Sequence, residues 1–136
     1  MQLLPRIIIS TSDYQRIASL LDAVDFGQYG THEQLWTELD RADLVEPSAM
    51  PPDVVSMNSR VRFRIDGEES REMTLCYPKD VNSSGHFVSV LAPIGSALLG
   101  MRVGQEIEWR LPGGRTKKVL IEAVNYQPER AGDFSA

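Results

Sequence analysis

Asp22 and Asp25 stand at i and i+3, a spacing that puts both carboxylates on one helical face, and Glu33 follows beyond a glycine-containing turn. Acids grouped this way could in principle act together, although the plainer reading is solvated carboxylates that favour a helix end. Other chemical groupings are incomplete. Gly95-Ser96-Ala97 lacks the second glycine that a nucleophile elbow needs two residues after its serine. His32 and His86 have no second His or Cys at zinc-ligand spacing. Gly95, Gly100 and Gly104 are not followed by the Lys-Ser or Lys-Thr pair of a phosphate loop. These patterns point away from an enzyme and call for no metal and no cofactor. Arg60, Arg62 and Arg64 form an alternating row, by default a solvated face and otherwise a contact for an acidic protein surface or an RNA backbone.

Charge narrows the partner class. The 136 residues carry a net charge of −5, which argues against broad capture of nucleic acid, since nonspecific binding rests on neutralising phosphates. Residues 1 to 56 hold nine acidic and three basic residues, whereas 57 to 136 hold ten and eleven, so an acidic first part precedes a nearly neutral body. A protein partner therefore suits the arginine row better than RNA does, and no specific DNA binding is expected. A single cysteine, Cys76, excludes an internal disulfide and suits a reducing compartment. Pro5 and Arg6 interrupt the apolar start, and no run approaches the roughly 20 apolar residues of a membrane span. The expectation is a cytoplasmic protein with no membrane partner.

The elements that must position these residues follow from periodicity. Thr11 or Ser12 can cap a helix near 12–25, in which Tyr14, Ile17, Leu20, Leu21 and Val24 share a face. Asp25 to Gly30 supplies a turn, and Thr31 with Gln34 makes a capping box for a second helix bearing Leu35, Leu39 and Ala42, which Pro47 and its neighbours end. Two such helices pack as an antiparallel hairpin, a finger of about 21 Å at about 1.5 Å per residue. Beyond Pro52 the pattern alternates: strands are expected at 60–65, 71–77, 87–91, 105–111 and 117–124, with turns at Asp66 to Glu69 and Pro112 to Gly114. One short helix is expected at 94–99, stopped by Gly100. At this length one core is possible and two ordinary domains are not.

Pro93-Ile94-Gly95-Ser96-Ala97-Leu98-Leu99-Gly100, followed by Val103-Gly104, resembles the S-P-x-x-x-A-L-L-G-x-x-x-G-D segment in the C-terminal domain of the Gre transcript-cleavage factors. Val54 to Val61 and Glu38 to Ala42 extend the resemblance over nearly the whole chain and narrow it to the Rnk branch of that family. The resemblance implies an α+β fold. A short helical hairpin, a coiled coil, would occupy 1–46, a proline-rich linker 47–52, and an FKBP-like antiparallel sheet domain with one short helix 53–136. Prolyl isomerase activity is not expected, because the pocket it needs would take aromatics such as Phe63, Tyr77 and Phe87 that a small core requires.

The partner so implied is RNA polymerase, gripped at the β′ subunit on the secondary-channel rim by a monomer. Carried over by position, the gripping residues are Ala92, Pro93, Ile94, Gly95 and Ser96, with Ala92 where the family has serine and Leu91 where some members place an acid. In Gre factors two tip carboxylates help hold the catalytic Mg²⁺. Here the finger tip, Asp22, Asp25, Phe26, Tyr29 and Glu33, lacks their closely set Asp and Glu, and the finger is shorter. The implied function is a noncatalytic competitor of Gre factors. The alternatives are Gre-like stimulation of cleavage through the tip acids, or an adaptor regulating nucleoside diphosphate kinase, as the branch's name suggests.

Overall fold

The computed structural model describes residues 7–24, 33–110 and 116–133. Two elements precede the proline-rich stretch that periodicity alone does not announce. Strand β1 (Ile8–Ser10) runs straight into helix α1 (Thr11–Val24), and after α2 (Glu33–Arg41) the chain enters β2 (Asp43–Val45), which pairs with β1 in parallel. The second helix therefore stops before Pro47. The Asp43 N–H donates to the Ile7 carbonyl at 2.9 Å, which draws the backbone out of the helix and into the ladder. Pro47–Ala49 then forms a single 3-10 turn. Helix α1 is capped by Ser10 rather than Thr11 or Ser12: the Ser10 Oγ accepts the Asp13 N–H at 3.1 Å, the N-cap to N3 bond that a Ser-x-x-Asp sequence offers.

The body is one five-stranded sheet built from β3 (Arg60–Ile65), β4 (Arg71–Cys76), β5 (Phe87–Ser89), β6 (Glu106–Arg110) and β7 (Thr116–Tyr126), in the order β5-β4-β3-β7-β6. All neighbours are antiparallel except β4 and β5. Strand β3 alternates as its sequence dictates, with Val61, Phe63 and Ile65 buried and Arg60, Arg62 and Arg64 exposed. The β3–β4 turn closes when the Glu68 N–H donates to the Ile65 carbonyl at 2.9 Å, with Gly67 at φ +82°. Two register shifts along β3–β7 bend the sheet's centre.

Helix α3 (Pro93–Leu98) lies against β5 and β6 and buries Ala97 and Leu98. The core does not end at the proline-rich stretch. Ile17 and Leu21 of α1 and Leu35 and Leu39 of α2 join the same apolar cluster as Phe63, Leu75 and Leu98. Val24, Thr31 and Gln34, the turn at Asp25 to Gly30, and the turn at Pro112 to Gly114 lie outside the described residues or side chains.

Candidate functional site

The segment from Ser89 to Gly104 is held from both sides by its own glycines and serines. The Ser89 Oγ accepts the Leu91 N–H at 3.0 Å and the Ser89 carbonyl accepts the Ala92 N–H at 3.0 Å, so the chain turns sharply into α3. Ala92 occupies the N-cap position with extended backbone, and Pro93 follows where a missing N–H costs nothing. Gly95 is required by space, since a Cβ there would stand 1.9 Å from the Ser89 carbonyl oxygen. Ser96 is buried, and its hydroxyl donates to the Val90 carbonyl at 2.6 Å. Leu98 and Leu99 plug the core.

Gly100 has φ +76°, and a Cβ on it would stand 2.7 Å from the Ile7 Cβ. Its N–H donates to the Val55 carbonyl at 2.8 Å and its carbonyl accepts the Ile8 N–H at 3.1 Å. This one residue thus ties α3, the stretch after the prolines and β1 together. Of the five positions singled out from the sequence, Gly95 and Ser96 face inward and fix the turn's shape, while Ala92 and Ile94 are half-buried and Pro93 opens the helix.

The acids are spread along the helical pair. Asp22 is exposed near the end of α1 and Glu33 opens α2, whereas Asp25, Phe26 and Tyr29 lie outside the described residues. Among the described residues no group of three His, Cys, Asp or Glu is placed to hold a metal ion, and no helix is long and apolar enough to cross a membrane.

The arginine row is matched by acids on neighbouring strands. Arg62 Nε lies 3.4 Å from a Glu122 oxygen and Arg60 Nη1 lies 4.0 Å from Glu72. Glu122 also accepts the Ser70 hydroxyl at 2.6 Å, and this bond, with Arg62 and Arg64 beside it, holds its carboxyl below the usual range. Arg60, Glu72, His86 and Tyr126 line a shallow groove of about 480 Å³. Exposed pairs of this kind contribute little each but leave the face nearly neutral.

A third grouping was not singled out from the sequence. Asp13, 2% exposed, accepts the Met57 N–H on its Oδ2 at 3.1 Å, which joins the first turn of α1 to the body. Nearby, the Ser56 hydroxyl donates to Glu129 Oε1 at 2.7 Å and lies 2.9 Å from the Ser59 hydroxyl. Burial pushes the Asp13 carboxyl up to about 6, with the negative charge of Glu129 adding and Met57 and Arg16 opposing. Burial also pushes the Tyr77 hydroxyl well above its ordinary value, and the Asp13 charge adds to it. Arg16, Leu20, Asn58, Tyr77 and Lys79 border a groove of about 860 Å³ at this junction, and Asn58 adopts a left-handed φ of 66°. The Ser10-Thr11-Ser12-Asp13 box was the local signal for Asp13. Nothing local marks Met57, Tyr77 or Glu129 as its neighbours. Cys76 is buried, and burial followed by the Asp80 charge pushes its thiol up, away from reactivity.

Similarity to known proteins falls in two parts of the chain. Residues 50–126 match the family described as transcription elongation factor GreA/GreB, C-terminal, and residues 5–45 match the Rnk N-terminus. The regulator of nucleoside diphosphate kinase of Escherichia coli (strain K12) is 46% identical over 131 residues, 96% of each chain. A solved structure, a prokaryotic transcription elongation factor GreA/GreB from Nitrosomonas europaea, is 47% identical and superposes with a TM-score of 0.71, covering 90% of this chain and 99% of that one. Transcription elongation factor GreA of Thermodesulfovibrio yellowstonii is 31% identical over 99 residues, which span 72% of this chain and 62% of that protein.

Proposed function

Because the chain belongs to the Rnk branch of the Gre family, joining an Rnk N-terminal segment to a GreA/GreB C-terminal domain, we propose that it is a noncatalytic transcription regulator that binds RNA polymerase. In this reading the protein works in the cytoplasm as a monomer. The turn at Ala92, Pro93 and Ile94 meets the β′ subunit at the secondary-channel rim, with Gly95 and Ser96 setting its shape, and the helical pair acts as a short coiled-coil finger that enters the channel partway. Gre factors are thereby kept from the same site. The domain boundary at 47–52 is part of this proposal.

The observation that carries the reading is the joining of a Gre C-terminal sheet to two short helices, 14 and 9 residues long among the described residues. At about 1.5 Å per residue the longer helix is about 21 Å long, and the part that carries Ile17 and Leu21 is packed into the common core, so what extends beyond the body is shorter still. A finger of that length blocks an entrance more readily than it delivers metal-binding carboxylates to a distant active site, where misplacement by even about 1 Å is costly. The Asp22, Asp25 and Glu33 carboxylates would then contribute repulsion or solubility.

The test is to add the protein to backtracked transcription complexes, with and without a Gre factor, and follow RNA cleavage. The expected result is no cleavage by the protein alone and a dose-dependent loss of Gre-stimulated cleavage. Cleavage by the protein alone that disappears in Asp25→Ala or Glu33→Ala would establish the Gre-like reading in its place. A second reading, an adaptor for nucleoside diphosphate kinase, is favoured by the name of the Escherichia coli relative. It predicts binding to that kinase, with polymerase left unoccupied.

A further inference from the structure

The segment that joins the helical pair to the sheet pairs along one edge with the backbone that follows α3. There the Val55 N–H donates to the Met101 carbonyl at 2.8 Å, the Val55 carbonyl accepts the Gly100 N–H at 2.8 Å and the Asp53 carbonyl accepts the Val103 N–H at 2.9 Å. Val54, buried between these rungs, gives its carbonyl to a different partner. That partner is Gln127, which follows β7 and is 0% exposed. Its Nε2 donates to the Val54 carbonyl and to the Pro51 carbonyl, each at 2.7 Å, so one side-chain amide stands where a neighbouring strand would. Its Oε1 accepts the Arg130 N–H at 3.1 Å, inside a turn in which the Ala131 N–H reaches the Gln127 carbonyl at 3.1 Å and the Asp133 N–H reaches the Pro128 carbonyl at 2.8 Å. From the same turn Glu129 accepts the Ser56 hydroxyl at 2.7 Å, and Arg130 Nη1 donates to the Pro52 carbonyl at 3.3 Å. Apolar packing is non-directional, so the common core brings helices and sheet together without dictating the path of the segment between them. A buried carbonyl left without a donor is costly, and these bonds satisfy the carbonyls along one path.

We infer that Gln127 is a positioning residue, the clasp of a strap formed by residues 127–133, which fixes the path of residues 51–56 and through them the seat of α3 and β1. The route is short. Val55 holds Gly100 just beyond α3, and the Gly100 carbonyl holds the Ile8 N–H at 3.1 Å where β1 begins. The helix behind the Ala92 to Ser96 turn and the strand that leads into α1 thus both depend on a side chain at the far end of the chain. None of these contacts involves polymerase, and the test needs none.

The experiment is native-state hydrogen exchange, read by NMR on the full chain, for the wild type, Gln127→Met and Gln127→Glu, with urea unfolding of each measured alongside. Gln127→Met keeps the side chain's length and removes its donors and its acceptor, whereas Gln127→Glu keeps an acceptor for the Arg130 N–H and removes the donors alone. In both variants protection of the Val55, Gly100 and Ile8 amides is expected to fall at least about tenfold further than that of the β3 amides, because the joining segment opens locally while the centre of the sheet stays paired. A fall that is equal at these amides and in β3, in step with the urea result, would make Gln127 a residue of general stability and overturn the inference. Unchanged protection at Val55, Gly100 and Ile8, or a loss confined to residues 127–133, overturns it as well. If neither Gln127 variant folds, Ser56→Ala, which cuts the Glu129 contact, decides by the same comparison: a fall at Val55 and Gly100 at least about threefold beyond that in β3 supports the strap, and any smaller difference contradicts it.

Discussion

At the scale of single residues, two glycines in the same body separate two kinds of constraint. Gly95 is held by space, with a would-be Cβ 1.9 Å from backbone, whereas Gly85 has φ +83° and open space around it. Gly95→Ala is therefore expected to cost several kcal/mol, as overpacking against backbone does, and Gly85→Ala about 1 kcal/mol from conformation alone. Urea unfolding of both variants checks the order. Asn58 gives a third case. Its φ of 66° suits Asn and Gly, so Asn58→Gly should be nearly neutral and Asn58→Ala should cost about 1 kcal/mol in the same measurement. The pH dependence has a definite sign as well. The folded Asp13 carboxyl sits at about 6 against 3.8 for the free group, so the folded state holds the proton more tightly. The stability this gives is present below the unfolded value and is lost as pH rises through about 6, by an amount on the order of 3 kcal/mol. Asp13→Asn should flatten that part of the stability-against-pH curve.

At the scale of elements, the apolar stripe of α1 is part of the common core and not a surface confined to a helical hairpin. Ile17 and Leu21 are fully buried in the cluster that contains Phe63. Leu21→Ala should then cost about 2–5 kcal/mol of the cooperative unfolding of the whole chain, a core-sized penalty. Loss confined to the helices, with the sheet unfolding unchanged, would show that the two parts are independent. The sheet strands were legible in the sequence because their signals are local. β3 alternates over Arg60–Ile65, and Gly67 and Gly100 mark the turn and the helix stop. β1 and β2 were not foreseen. Each is three residues long, and they pair in parallel across the intervening helices, so their ladder leaves no local pattern. Only the β-branched run at Ile7 to Ile9 hints at a strand. The Asp13 site was hidden for the same reason: its hydrogen bond comes from Met57, and the charge of Glu129 that acts on it comes from another distant segment.

At the scale of the molecule, charge is divided between an acidic helical pair and a body whose open face is balanced. Arg60 and Arg62 face Glu72 and Glu122, so removing either arginine removes little net attraction. Arg60→Ala and Arg62→Ala should change affinity for RNA polymerase by no more than about twofold, measured by titration at moderate salt. Ala92→Arg, which places a long charged side chain where α3 begins, should weaken binding by at least about tenfold while thermal unfolding stays close to wild type. The central claim is that this chain and Gre factors exclude each other on polymerase. Its most direct test is to titrate the protein into core RNA polymerase carrying a fluorescent Gre factor and follow the anisotropy. Full displacement with a single midpoint, shifted to higher concentration in Ala92→Arg, is the predicted result; a Gre signal that stays constant while the protein binds the same polymerase would contradict the claim.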